Sequence, residues 1–180
     1  MKKLLICFFV SSVYLFCISA VAQQAGAPDA SKESSYSPVR FHKRLSSAEK
    51  EHILEGPFTV MASTEAMPAN VKQAFAEITG EPSFALANPG QKYQVTDFIS
   101  DPRLPDRRLL FAGVKGDEWF IHYERGGRGH SYSVIVFKVT TPYRLQFLWG
   151  GAGANGAKHI DELRKMIAAG RFLDDLPNYW

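Results

Sequence analysis

Between Arg108 and Trp149 the chain alternates four apolar bursts with three short polar breaks. The bursts are 109–114, 119–124, 132–139 and 143–149, each rich in β-branched and aromatic residues. The breaks are Lys115-Gly116-Asp117, Arg125 to Gly129, and Thr140-Thr141-Pro142. This pattern predicts an up-and-down antiparallel meander, because a parallel crossover needs about a dozen or more connecting residues. On the last burst, strict alternation sends Tyr143, Leu145, Phe147 and Trp149 to one face.

Elsewhere the hydrophobic period changes from two to between three and four. Ser46-Ser47-Ala48-Glu49 has capping-box spacing and predicts a helix to about Glu55, stopped by Gly56-Pro57. Phe58 to Ala62 reads as a short strand. Pro68 opens a second helix at its first position, with Val71, Phe75 and Ile78 on one face, and Gly80 and Pro82 end it. Ser83–Leu86 and Tyr93–Ile99 are expected strands around Asn88-Pro89-Gly90, a type II turn sequence. The run from Asp101 to Arg108 carries two prolines and three arginines and must be an irregular surface crossing. A last helix is expected over about Ala157 to Ala169, capped by Asn155 and closed by Gly170. Ile160, Leu163 and Ile167 face inward on it, and Asp161 and Lys165 form an exposed pair. The closing aromatics Tyr179 and Trp180 are expected to dock on the body. Together these elements predict one α+β domain over residues 38–180. Its antiparallel meander sheet would have about five or six strands, with about three helices packed mainly on one face.

The N-terminus changes the picture. Lys2 and Lys3, the apolar run Leu4 to Ile18, and Ala20-Val21-Ala22 have the layout of a secretory signal peptide over residues 1–22. The run is short for a membrane span, which takes roughly 20 residues, and no positive flank follows, so no stable span is expected after cleavage. The residues before Cys17 lack the small side chains of a lipoprotein site. Gln23 to Ser37 is small, polar and aperiodic, a flexible leader. Cleavage leaves a chain of 158 residues, enough for one sizeable core, exported to the periplasm or beyond. Both cysteines, Cys7 and Cys17, leave with the signal, so the mature chain has no disulfide, thiol nucleophile or cysteine metal site. Losing Lys2 and Lys3 also brings 21 basic residues to 19 against 18 acidic ones, a net charge of +1. Nucleic-acid binding wants a concentrated cationic excess, which this balance does not supply. The short basic run Arg40 to Arg44 reads as a solvated approach to the first helix.

Three features bear on chemistry. Gly151-Ala152-Gly153-Ala154-Asn155-Gly156 matches G-x-G-x-x-G, with Asp174 and Asp175 about twenty residues on. A dinucleotide fingerprint belongs to the first turn of a parallel βαβ unit, and this one follows a meander, so no cofactor is expected. What survives is a small-anion site at the helix start, with Asn155 and Lys158. The second feature is the hairpin around Gly126-Gly127. A two-residue turn sets His122 and Glu124 with Ser131 and Ser133 on one face; a three-residue loop sets them with His130 and Tyr132 instead. Either way an imidazole lies near a carboxylate and a hydroxyl, the minimum for proton transfer. The histidine spacing fits no zinc motif, so no metal is expected. His42, His52 and His159 read as surface residues. Third, aromatics near the meander's ends predict an apolar cavity bordered by Trp149 or Tyr132.

With no strong catalytic signature, the sequence points to a non-catalytic exported domain that binds a small molecule or a protein partner. The residues expected at its site are His122, Glu124, His130, Tyr132, Trp149, Asn155 and Lys158. An acid/base hydrolase centred on His122 and Glu124, with Ser131 or Tyr132, is one alternative. An inhibitor or immunity-type protein plugging a partner with Arg103 to Arg108 is the other.

Overall fold

The computed structural model describes residues 41–99, 101–127 and 129–175. The expected signal segment 1–22, the expected leader 23–37, Arg40, Arg128 and the aromatic end Tyr179-Trp180 lie outside the described residues. The described chain is α+β, with five antiparallel strands in sequence order and three helices, and the sheet is open. The strands are β1 (Thr59–Met61), β2 (Arg107–Lys115), β3 (Glu118–Arg125), β4 (Ser131–Thr140) and β5 (Arg144–Gly153). The helices are α1 (Ser47–His52), α2 (Ala69–Thr79) and α3 (Ile160–Ala168). None of them is long and apolar enough to cross a membrane.

Local signals explain most boundaries. Ser46 and Glu49 form the reciprocal capping box at the start of α1. Gly80 ends α2 at φ +70°, a left-handed conformation that costs glycine little. Gly90, at φ +80°, sits third in the Asn88–Gln91 turn, closed by a 3.0 Å bond from the Gln91 N–H to the Asn88 carbonyl.

Both faces of the sheet are covered, so β3 and β4 carry nearly continuous buried runs instead of an in–out alternation. On one face α2 brings Val71, Phe75 and Ile78 against Leu109, Ile121, Tyr123 and Ile135. On the other, α1 and α3 bring Leu54, Leu163 and Ile167 against Phe111, Phe120, Val136 and Trp149. Two bulges decide which side chain goes where. One in β2 lies between Leu109 and Phe111; one in β4–β5 lies where Val136 pairs Trp149 and Phe137 pairs Phe147. A bulge inserts one residue and reverses the alternation beyond it. Trp149 therefore joins the α3 side while Leu145 and Phe147 stay on the α2 side, correcting the expectation that all three share a face.

Three further expectations are corrected. Residues 83–99 form no strand: Leu86, Ala87, Tyr93 and Gln94 are buried, but the backbone meets the sheet only through the Ala87–Arg108 bridge and isolated bonds such as Gln94 N–H to the Pro105 carbonyl. Pro68 is the cap of α2, one position before its first residue. Helix α3 starts later than expected and is capped by His159, whose ring nitrogen accepts the Glu162 N–H; Asn155 lies outside it, exposed.

Candidate functional site

The hairpin between β3 and β4 closes with a five-residue loop, pairing Arg125 with Ser131, Glu124 with Tyr132 and His122 with Val134. That register puts Glu124, His130 and Tyr132 together, the grouping expected of a three-residue loop, and sends Ser133 to the opposite face beside Tyr123.

Glu124 is the centre of a buried cluster. Its side chain is 5% exposed, and it accepts from Arg108 Nε at 2.6 Å, Tyr93 Oη at 3.0 Å and His130 Nε2 at 2.9 Å. Three donors, one of them cationic, are what a carboxylate needs when it leaves water. The Arg108 guanidinium also lies over the Tyr93 ring, 4.5 Å from its centroid. Burial pushes the Tyr93 hydroxyl up to about 12, with the Glu124 bond and charge acting the same way, so it is a fixed donor. His130 stacks on Tyr132 with centroids 5.0 Å apart and keeps its side chain 45% exposed.

Arg108 and Tyr93 were not among the residues expected here. Arg108 faces Glu124 only because of the β2 bulge; an unbroken ladder from Val114–Trp119 would set Leu109 opposite Glu124. Tyr93 arrives from the irregular segment, and nothing in its sequence context marks it.

His130 opens onto a groove of about 270 Å³, lined by Gly129, His130, Ser131, Ala152, Gly153, Ala154 and Leu173. Its walls are the end of the hairpin, the end of β5, and the segment after α3, whose Leu173 bridges Ala152 in both directions at 2.8 and 3.0 Å.

The other expected site residues lie apart from the groove. His122 is fully buried: its Nδ1–H donates to the Ser133 carbonyl at 2.8 Å and its Nε2 accepts the Ala157 N–H at 3.0 Å. Burial pushes this imidazole down to about 4, against the raising effects of the Ser133 carbonyl and Glu124. It is a neutral pin holding the loop after β5 to the sheet. Trp149 is fully buried and donates its indole N–H to Asp174 Oδ2 at 2.8 Å. Its ring is packed closely against Gly151, where a Cβ would come within 2.9 Å of it. Tyr132 is equally close-packed, since a Cβ on Gly156 would sit 2.4 Å from its ring. A Cβ on Gly153 would lie 2.5 Å from the Arg171 carbonyl oxygen. The G-x-G-x-x-G spacing thus records three close packings. Lys158 is exposed, and its backbone N–H is taken by Glu162 Oε2 at 2.7 Å.

A second buried acid sits near the termini of the described domain. Asp174 accepts from Leu45 N–H at 3.1 Å and Trp149 Nε1 through Oδ2, and from Lys50 Nζ at 3.0 Å through Oδ1. Burial works to raise its pKa, but the bonds from Trp149, Leu45 and Lys50 outweigh it and hold the carboxyl below its ordinary range. In the arginine loop, Arg103 is exposed and paired to Asp101, while Arg107 is buried against Glu81 at 2.5 Å. No group of three or more His, Cys, Asp or Glu among the described residues could hold a metal ion.

Comparison with protein-family models, with curated proteins and with solved structures finds no match to this chain.

Proposed function

We propose that this chain is an exported binding domain that takes a small molecule in the groove between Gly129–Ser131 and Ala152–Ala154. The observation that carries this reading is the wall at His130. A groove of small apolar residues has one half-exposed imidazole on it, and that ring is held from behind by a buried carboxylate and from below by Tyr132. Apolar walls with a few fixed polar groups are the usual make-up of small-molecule sites. At 270 Å³ the groove is smaller than the roughly 300–1,000 Å³ that drug-sized ligands occupy, so its ligand is small. A hydrolase centred on His122 gains no support from a ring whose two nitrogens are both engaged.

Ala154 is exposed on the groove's rim, so Ala154→Trp fills it without touching the core. In native mass spectrometry of protein purified from its producing cells, the unaltered chain should carry a small ligand that the Ala154→Trp chain lacks. Identical ligand-free spectra for both would end this reading. Export is tested on the same material: a signal segment over residues 1–22 predicts that the purified protein begins at Gln23.

A protein partner is the second reading, favoured by Val95, Phe98 and Ile99, which are 55%, 79% and 66% exposed within one short segment.

A further inference from the structure

We infer that the ligand of the groove is a small carboxylic acid, a short apolar chain with one acidic head set against Nδ1 of His130; this rests on the groove reading above. Among the described residues lining the groove, His130 is the one with an ionisable side chain. Its Nε2 lies 2.9 Å from the Glu124 carboxylate, so the ring's proton is on Nε2 and its lone pair on Nδ1. Among the described residues Nδ1 makes no hydrogen bond. Neither ring nor acid is free to turn: Tyr132 stacks under the imidazole, and Arg108 and Tyr93 hold the carboxylate.

A carboxylate brings the anion that a proton on Nδ1 would answer. At neutral pH the acid arrives ionised, Nδ1 takes up a proton from water, no other bond breaks, and the resulting imidazolium lies between the ligand's carboxylate and Glu124. The charges then balance, with Arg108 against Glu124 and His130 against the ligand. An alcohol would give Nδ1 a hydrogen bond but no ion pair, and charge-assisted bonds are roughly twice as strong as neutral ones. An amine would bring a cation to a site whose only carboxylate already serves three donors. The apolar remainder of the acid would lie on Ala152, Ala154 and Leu173, the last of which is 56% exposed.

The test is an amide NMR titration of the purified protein at pH 7 with three probes of equal chain length: hexanoate, 1-hexanol and hexylamine. Hexanoate should shift the amides of residues 129–131 and 152–154 saturably, with an affinity about ten-fold or more above that for hexanol, a difference of about 1.4 kcal/mol. His130→Gln, whose amide spectrum also reports whether the fold persists, should bring hexanoate down to the hexanol level. Equal binding of hexanoate and hexanol, or a preference for hexylamine, would overturn the acid assignment and leave the groove as an apolar site. No shift at these amides with any probe would remove the groove reading as well.

Discussion

Asp174 and Glu124 are built alike and differ in one respect. Each is a buried carboxylate collecting three donors, one of them a cation: Lys50 for Asp174 and Arg108 for Glu124. Around Asp174 every donor belongs to the packed body, so the network is closed. It joins the approach to α1, the β5 tryptophan and the segment after α3. Around Glu124 one donor, His130, is half-exposed and has a second nitrogen to offer. A satisfied buried network rigidifies; the same network with one member facing a groove can hold that member ready for something outside. The two histidines teach the same lesson. His122 has both nitrogens spent inside the fold, whereas His130 has one spent and one spare.

The contrast can be broken by substitution. Asp174→Ala should have the largest effect, a loss of about 3–5 kcal/mol in urea unfolding, because it strands a part-buried lysine and a buried indole N–H together. Its pH signature has a definite sign. The folded carboxyl is held below its ordinary range, so its contribution is complete above the unfolded value near 3.9 and fades as pH falls through the lower folded value. Asp174→Ala should flatten that acid limb; an unchanged limb would deny the hub its role.

His122→Ala should follow, at about 2–4 kcal/mol, since it empties a site packed by Phe111 and Phe172 and orphans the Ala157 N–H. Between the imidazole's ordinary 6.5 and about 4, the unfolded chain binds a proton that the folded chain refuses. Stability from this site is therefore full above pH 6.5 and declines as pH drops toward 4, by about 3 kcal/mol in all. Melting temperatures of wild type and His122→Ala should converge in acid; parallel curves would rule out the buried neutral pin.

Glu124→Gln should cost about 2 kcal/mol by leaving Arg108 without its anion, and it should also weaken any ligand that needs an oriented His130. His130→Ala should be the mildest, below about 1 kcal/mol, as expected of a half-exposed side chain. If His130→Ala destabilised as much as His122→Ala, the distinction between spent and spare imidazole would collapse.

What the sequence made legible was local. The meander, the capping box of α1, the Gly80 stop and the Asn88–Gln91 turn each follow from residues within a few positions of one another. What it hid depends on register. Neither bulge is marked by Gly or Pro at its extra residue, so the side change of Trp149 and the meeting of Arg108 with Glu124 left no local trace. Residues 83–99 alternate like strands because Phe84, Leu86 and Tyr93 seek the core, yet their backbone is served by scattered single bonds instead of a ladder. Histidine is an uncommon cap, which kept His159 out of view and moved the start of α3. His130, Glu124 and Tyr132 were visible as a group because every loop of odd length, three residues or five, preserves their shared face.

The extra residue in β2 works like a tooth added to a gear. Beyond Leu110 every side chain of the strand meshes one step out of phase, and this brings a cation over Glu124. A strand of the same sequence that ran on without the bulge, every residue taking the next rung, would keep its composition, its turns and its helices intact. It would nonetheless offer Glu124 a leucine for company, and the carboxylate behind the imidazole would lose its guanidinium without a single residue having been changed.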